Sequence, residues 1–364
     1  LGITLLKEKI LFFIETGGPG GAEQVVLQLL EGFKNLGHEV ALTTLRTGWL
    51  TETAIERGFS YYQIKSESGL DFALPFKLAK LIRDLQANVL HTHLLDSNFY
   101  GALAATLSGV SHVGTEHGDV HHINKKKFLK LKLFVSSIWQ SKLTAVSKFS
   151  ADKLIELGVN KKKVFVVPNP LKEPAHFSER SDIRSKLGAN KEWLWLHVGN
   201  LRPVKDQTTL IKGFARSVNE TSIPQKLVLV GDGPERIKLE QLVTELNIEN
   251  KVVFIGHSNE VEKFLAAGDG FIMTSVSESM PMALLEAISY SLYPVCSSVG
   301  GIPEVLSVGH LFNVGDSEEL GRLISKVVGS PDKPKEIANT LSLKLREERS
   351  LNAVCKLYLE LYGR

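Results

Sequence analysis

Two glutamates eight residues apart, Glu278 and Glu286, stand in the segment SESMPMALLEA (277–287). Pro281 suits the first turn of a helix, where its missing N–H is not needed. Glu278 then falls in the loop before that helix and Glu286 inside it, with a rise of about 7.5 Å from Pro281 to Glu286 at 1.5 Å per residue. Between the two carboxylates lie the free backbone N–H groups of the helix start, which favour an anion. One carboxylate can accept from sugar hydroxyls and the other from a ribose diol, with a diphosphate between them. Two solvated glutamates beside an ordinary helix start fit the same pattern. Basic residues supply a second feature: HVGNLRPVKD (197–206) follows an apolar run and puts Arg202 and Lys205 in a turn. Fixed positive charge there can meet phosphate oxygens, or be an ordinary basic surface loop. A third is ETGGPGGAE (15–23), whose glycines let backbone approach a ligand ahead of a helix. Glu23 either acts on a substrate or complements its own helix's first turn.

These loops must be held by regular elements, and the chain supplies them in alternation. Ile10–Ile14 reads as a strand, followed by a helical pattern over 22–36, a strand over 39–44, a helix near 75–86 and a strand over 89–92. A helix near 97–108, strands over 112–115, 143–146 and 164–167, and a helix over 148–157 complete the first half. The polar, proline-bearing stretch 172–182 reads as a linker. The pattern then restarts, with strands at 193–198, 226–230, 252–255, 270–274 and 293–296, and helices at 207–218, 235–246, 259–267 and 282–291. Strand, Gly-rich turn, helix opens each half, which predicts α/β architecture: two doubly wound, Rossmann-like domains facing across a ligand cleft. The expected division is 1–171, 172–345 and a final helical segment, 346–364, packed back on the first domain.

At 364 residues the chain is long enough for two cores. Its 43% hydrophobic and 23% charged residues exclude a disordered or collagenous protein. No apolar run approaches the 18 residues or so of a membrane span. The chain opens LGITLLKEK, without a starter Met and with no cleavage-type segment. Cys296 and Cys355 form neither a disulfide framework nor a zinc site and suit a reducing cytoplasm. There is no G-x-x-x-x-G-K-[ST], no G-x-S-x-G, no H-E-x-x-H and no Asp-x-Asp pair. No metal or other cofactor is called for. Net charge is +3 but uneven: residues 1–170 carry 20 Lys+Arg against 15 Asp+Glu, and 120–151 hold seven lysines and no acid.

Taken in order, these segments resemble the retaining glycosyltransferases of family four, whose fold is GT-B. The resemblance runs through GGAEQVVLQLLEGFKNLGHEV (20–40), HTH (91–93), TEHG (115–118), AVSKFSADKL (145–154), VPNPL (167–171), VGNLRPVKD, LVGDGPER (229–236), VFIGH (253–257), SVSESMPMALLEA (275–287) and GGIPEV (300–305). It implies transfer of a sugar from a nucleotide diphosphate donor, UDP before GDP, with retained anomeric configuration and without metal. Carried over, Lys205 and Arg202 neutralise the diphosphate, Glu278 and His117 contact the donor sugar, and Glu286 takes the ribose hydroxyls. The backbone of Met280, Pro281, Met282 and Ala283 meets phosphate and sugar, Phe254 to Gly256 borders the base, and Gly20–Gly21 lies beneath the diphosphate. Where the family often carries Arg after the glycine of V-G-x-L this chain has Asn200, so Arg202 stands in as the cation. Ser279-Met280 replaces the common Gly-Phe and bears on the donor sugar.

The remaining features concern the acceptor. His91 and His93 share one side of a strand end, for cleft lining or core packing; His121 and His122 read as loop residues. Lys125–Trp139 sets Phe128, Leu131, Val135 and Ile138 at helical spacing beside five lysines. That reads as a dock for anionic lipid headgroups, suiting a lipid-linked or glycan acceptor in surface polysaccharide or glycolipid assembly, or as a helix with its apolar face on the core. The expected location is cytoplasmic, peripheral at the inner face of the membrane, and nucleic acid is not expected as a partner. A sugar-nucleotide 2-epimerase of the same fold and a non-catalytic sugar-nucleotide-binding protein are the alternatives; acceptor-dependent nucleotide release separates them from a transferase.

Overall fold

The computed structural model describes residues 7–66, 71–118, 128–138, 141–175 and 177–363. The chain forms two compact units, Leu1–Pro170 with Arg349–Arg364, and Leu171–Glu348.

In the first unit seven parallel strands are β1 (Lys9–Ile14), β2 (Glu39–Thr44), β3 (Ser60–Gln63), β4 (Val89–His93), β5 (Ser111–Glu116), β6 (Lys142–Ala145) and β7 (Val164–Val166). Their order is β3-β2-β1-β4-β5-β6-β7. The order reverses between β1 and β4, so the loop after β1 and the end of β4 flank a topological switch point, where open α/β sheets bind ligands. Both faces of β1 are covered, and Ile10 to Ile14 are accordingly all buried and apolar.

The second unit repeats the plan with β8 (Trp193–Val198), β9 (Gln225–Val230), β10 (Val252–Gly256), β11 (Gly270–Met273), β12 (Tyr293–Ser297) and β13 (Leu311–Phe312), in the order β10-β9-β8-β11-β12-β13. Its switch point falls between β8 and β11. The loops that follow these two strands carry Lys205 and Glu278, and sheet order alone makes them neighbours.

Several elements depart from the sequence reading. The segment expected as a linker over 172–182 runs into a helix, Arg180–Lys186. Arg180 and Arg184 bind that helix to the carboxylate of Asp269, each at 2.8 Å. The helix Trp49–Glu56 and the edge strand β3 were not foreseen; β3 shows no alternation because three of its four residues are exposed and the fourth, Tyr61, is half-buried. Nor were the helices Ser317–Val328 and Asp332–Glu348.

The helix Leu351–Tyr362 packs within the first unit. Gly32 makes room for it: a Cβ there would lie 2.5 Å from the Cys355 Sγ. The Tyr362 hydroxyl is 2.6 Å from His91 Nδ1, and Lys142 Nζ donates to the Leu361 carbonyl at 2.5 Å. His91 and Tyr362 are both buried. Tyr362→Phe therefore leaves a buried imidazole nitrogen unpaired, and should cost about 1–3 kcal/mol. A thermal melt lowered by several degrees checks this; an unchanged melt removes the hydrogen bond from the fold's stabilising interactions.

Candidate active site

The sheet of the second unit ends in a set of tightly packed loops. After β8 the chain turns through Gly199–Arg202 into a single helical turn, Pro203–Lys205, and then the helix Gln207–Glu220. Asp206 sits at φ +44° and caps that helix, accepting from Thr209 N at 3.3 Å and Thr209 Oγ1 at 2.6 Å. From inside, Gln207 Nε2 donates to the Asn200 carbonyl at 3.0 Å and lies 3.1 Å from His197 Nε2. His197 Nδ1 in turn meets the Ile272 carbonyl at 3.0 Å. Burial pushes His197 down to about 4, so the ring is neutral, donates from Nδ1 and accepts at Nε2. The Thr274 hydroxyl, 2.9 and 2.8 Å from the Lys205 and Asp206 carbonyls, ties this loop to the one after β11.

Lys205 and Glu278 meet across the switch point: Nζ donates to Oε1 at 2.5 Å, with side chains 24% and 11% exposed. Beyond Glu278, Met280, Pro281 and Met282 are buried and Ala283 is half-buried, so these residues offer the region backbone more than side chains. Pro281 is the residue before the helix Met282–Ser289, at ψ 124°, one position earlier than its first-turn placement from sequence. Gly300 (φ +56°) packs against this loop so closely that a Cβ would lie 1.7 Å from the Glu278 carbonyl oxygen. Gly301 N donates to the Ser279 carbonyl at 2.8 Å. Sequence reading placed GGIPEV in the family pattern without assigning Gly300 a role; its positive φ appears only once the loops meet.

Glu286 lies in the middle of the Met282–Ser289 helix, half-buried, with no hydrogen bond to its carboxylate among the described residues. Burial first, then the neighbouring Glu262 carboxylate, raise its pKa to about 7. A carboxyl held there is costly to ionise until hydroxyl donors reach it.

The other expected site residues are dispersed along the same edge or lie in the first unit. Asn200 and Arg202 are exposed, and no ion pair of Arg202 is formed among the described residues. Phe254 in β10 is half-buried with the Arg236 guanidinium 5.9 Å from its ring centre, and Gly256 (φ +80°) accepts from Gly231 N at 2.9 Å. In the first unit Gly20 and Gly21 begin the helix Gly21–Asn35 without a side-chain cap. Glu23 is buried and accepts from Thr16 Oγ1 at 2.6 Å, bracing its own loop. His117 follows β5, and its Nε2 is 2.8 Å from His93 Nδ1. His91 and His93 are core residues, both fully buried.

In the lysine-rich segment the described helix is Leu129–Ser136. Leu129, Leu133 and Ser136 are buried, while Phe128, Leu131 and Phe134 are 62%, 55% and 63% exposed. The core-facing stripe is thus not the one read from sequence: Leu131 and Phe128 face out, and Val135 and Ile138 are half-buried. Lys132 pairs with Asp96 at 2.5 Å. Lys125, Lys126, Lys127, Trp139, His121 and His122 lie outside the described residues. Both cysteines are buried, and burial pushes their thiols up. No helix among the described residues is long and apolar enough to cross a membrane.

Two Rossmann-like sheets with these loops define a GT-B architecture, and comparison with known proteins agrees. Residues 19–172 match Glycosyltransferase Family 4 and residues 179–341 match Glycosyl transferases group 1. The chain is 30% identical to N-acetyl-alpha-D-glucosaminyl L-malate synthase of Bacillus anthracis over 314 residues, 82% of each chain. It is 29% identical to UDP-Gal:alpha-D-GlcNAc-diphosphoundecaprenol alpha-1,3-galactosyltransferase of Escherichia coli over 77% of each. Among solved structures, Anabaena HepE in complex with UDP superposes with a TM-score of 0.85 at 21% identity, over 97% of this chain and 98% of that one. The chain belongs to the group 1, family 4 glycosyltransferases, and is an enzyme of that class.

Proposed function

We propose that this glycosyltransferase takes its sugar from a UDP-sugar, with retention of anomeric configuration, and delivers it to a glycan or lipid-linked acceptor. The observation that carries the reading is the Lys205–Glu278 pair at 2.5 Å, set beside the start of the Met282–Ser289 helix with Glu286 further along it. Lys205 is shared between Glu278 and the diphosphate, where leaving-group charge develops and a preorganised cation stabilises it. Arg202 reaches the same phosphates from the exposed loop. Backbone at Met280, Pro281, Met282 and Ala283 binds phosphate and sugar, Glu278 and His117 contact the sugar, and Gly20–Gly21 approach the diphosphate. Glu286 accepts from the ribose diol, and Phe254, Gly256 and Asn200 border the nucleoside.

The Anabaena and Escherichia coli proteins, one complexed with UDP and the other named for a UDP-sugar and a lipid-diphosphate acceptor, support that donor and acceptor class. The exposed Phe128, Leu131 and Phe134 beside Lys130 support contact with an anionic membrane surface, where aromatic and basic side chains bind together. Residues 1–171 are assigned to the acceptor and 172–345 to the donor.

Glu286 supplies the test. Its pKa in the folded chain, about 7, lies above the ordinary carboxyl value of 4.5. Between those values the folded state holds more proton than the unfolded, so this group's contribution to stability is present below pH 4.5 and lost as pH rises through 7. Ligand hydroxyls act oppositely, because they favour the ionised form. UDP-sugar affinity should therefore rise several-fold from pH 6 to pH 8 and level off, and Glu286→Gln should bind weakly and without that slope. Thermal shift against UDP-, GDP- and ADP-sugars reads the result. An equal shift in wild type and variant at every pH would remove Glu286 from the site.

A further inference from the structure

The two histidines that end β4 and follow β5 form a pair whose hydrogen-bond direction can be worked out. His93 is fully buried, with its ring stacked on that of His91 (4.4 Å, 24°) and lying edge to edge with that of His117 (5.1 Å between centres, planes 22° apart). Its Nδ1 lies 2.8 Å from His117 Nε2, so one of these nitrogens carries the shared proton. The other nitrogen of His93, Nε2, is buried and has no hydrogen-bond partner among the described residues. His91 cannot supply one, since its Nδ1 is engaged by the Tyr362 hydroxyl and its Nε2 by Thr115 Oγ1 at 2.8 Å.

Burial pushes His117 down to about 3 and His93 well below its ordinary value, so each ring is neutral near pH 7 and holds one proton. If His117 donated from Nε2, the proton of His93 would sit on its own Nε2, a buried N–H with no acceptor. Orphaned buried N–H groups are rarer and costlier than a bare lone pair. The opposite arrangement leaves only a lone pair there: His93 Nδ1–H donates to His117 Nε2, and His117 must carry its proton on Nδ1.

We infer that His93 is a positioning residue that holds His117 in the Nδ1–H form, so that His117 presents an uncharged N–H donor to an acceptor oxygen of the bound sugar nucleotide. This rests on the proposed sugar contact of His117. It adds a direction to that contact: the ligand atom recognised is one that accepts, such as a hydroxyl or phosphate oxygen through its lone pair. Fixing the tautomer through the second nitrogen leaves no alternative rotor or charge state to be frozen out when ligand binds.

Histidine-selective ¹⁵N labelling and long-range ¹H–¹⁵N spectra at pH 7.5 test it, with His117 assigned by the signals lost in His117→Gln. The expected pattern is a protonated Nδ1 and a bare Nε2 for His117. In His93→Asn, whose amide donates from nearly the Nδ1 position, His117 keeps that pattern and the KM for UDP-sugar stays close to wild type. In His93→Asp the ionised carboxylate accepts where the imidazole N–H donated, His117 shifts to the Nε2–H form, and KM rises roughly tenfold while kcat changes less. A His117 protonated on Nε2 in the unmodified protein overturns the inference, whatever His117 does for the reaction. A Nδ1–H pattern that persists in His93→Asp overturns the role of His93. Full activity in His117→Gln, with the tautomer as expected, would instead remove the sugar contact on which the positioning role depends.

Discussion

Lys205→Ala should lower kcat by about two to three orders of magnitude, the range seen when a preorganised group is removed from developing charge. Lys205 Nζ is fixed at 2.5 Å from Glu278, its backbone is braced by the Thr274 hydroxyl, and its loop is sealed from below by Gln207. A cation so held needs no reorganisation as the bond to the leaving phosphate breaks, which is why turnover falls further than binding. The lost ammonium also leaves Glu278, only 11% exposed, without its counter-charge. Lys205→Ala alone could therefore act by moving Glu278. The double variant Lys205→Ala, Glu278→Gln, read against Glu278→Gln alone, separates the two causes: it relieves the unpaired carboxylate and should recover melting temperature, yet its kcat should stay far below that of Glu278→Gln. A kcat equal to that of Glu278→Gln would mean that Lys205 serves only to hold Glu278.

Gly300→Ala is expected to be the most damaging small substitution at the site. Two independent terms act at the same position. The backbone is at φ +56°, where a side chain is strained, and the added Cβ would sit 1.7 Å from the Glu278 carbonyl oxygen. No flexible side-chain end can swing away to relieve this contact; backbone must move, and the backbone concerned carries Glu278. A destabilisation of roughly 2 kcal/mol or more is expected, together with loss of UDP-sugar binding at temperatures where the variant is still folded. Gly309→Ala is the control, since Gly309 has a positive φ of +103° and open space around it. It should show the backbone cost without the loss of binding. Equal binding loss in both would refute the link between Gly300 and the Glu278 loop.

Much of this was legible in the residues because the code for a doubly wound sheet is local. Runs such as Trp193–Val198, buried on both faces, read as strands from their apolar continuity, and each is followed by a glycine-rich turn. Polar pairs at the ends of these strands could be picked out for the same reason. What stayed hidden depends on tertiary structure. Nothing in the spacing of 205 and 278 says that they touch; the placement of β8 beside β11 does. The edge strand β3 has no clean alternation to read because an edge is half in solvent. The segment 125–139 was misread in its phase: Phe128, Leu131, Val135 and Ile138 fit a helix as well as Leu129, Leu133 and Ser136 do, and only packing against Leu95 and Leu143 decides between the two stripes. His93 could be placed on a strand from sequence, but the direction of its hydrogen bond required the neighbouring rings.

The helix Leu351–Tyr362 closes the core around His91, yet the ribosome makes it only after the whole of Leu171–Glu348. During synthesis the first seven strands must therefore wait, with the His91 and Thr115 side of their sheet uncovered, while some 180 further residues emerge and form a complete unit of their own. Nascent chains of this protein are vulnerable longest at the end made first. A stop codon just before Leu351 would do its harm there, leaving the loops around Lys205 and Glu278 intact on a protein whose other half cannot finish.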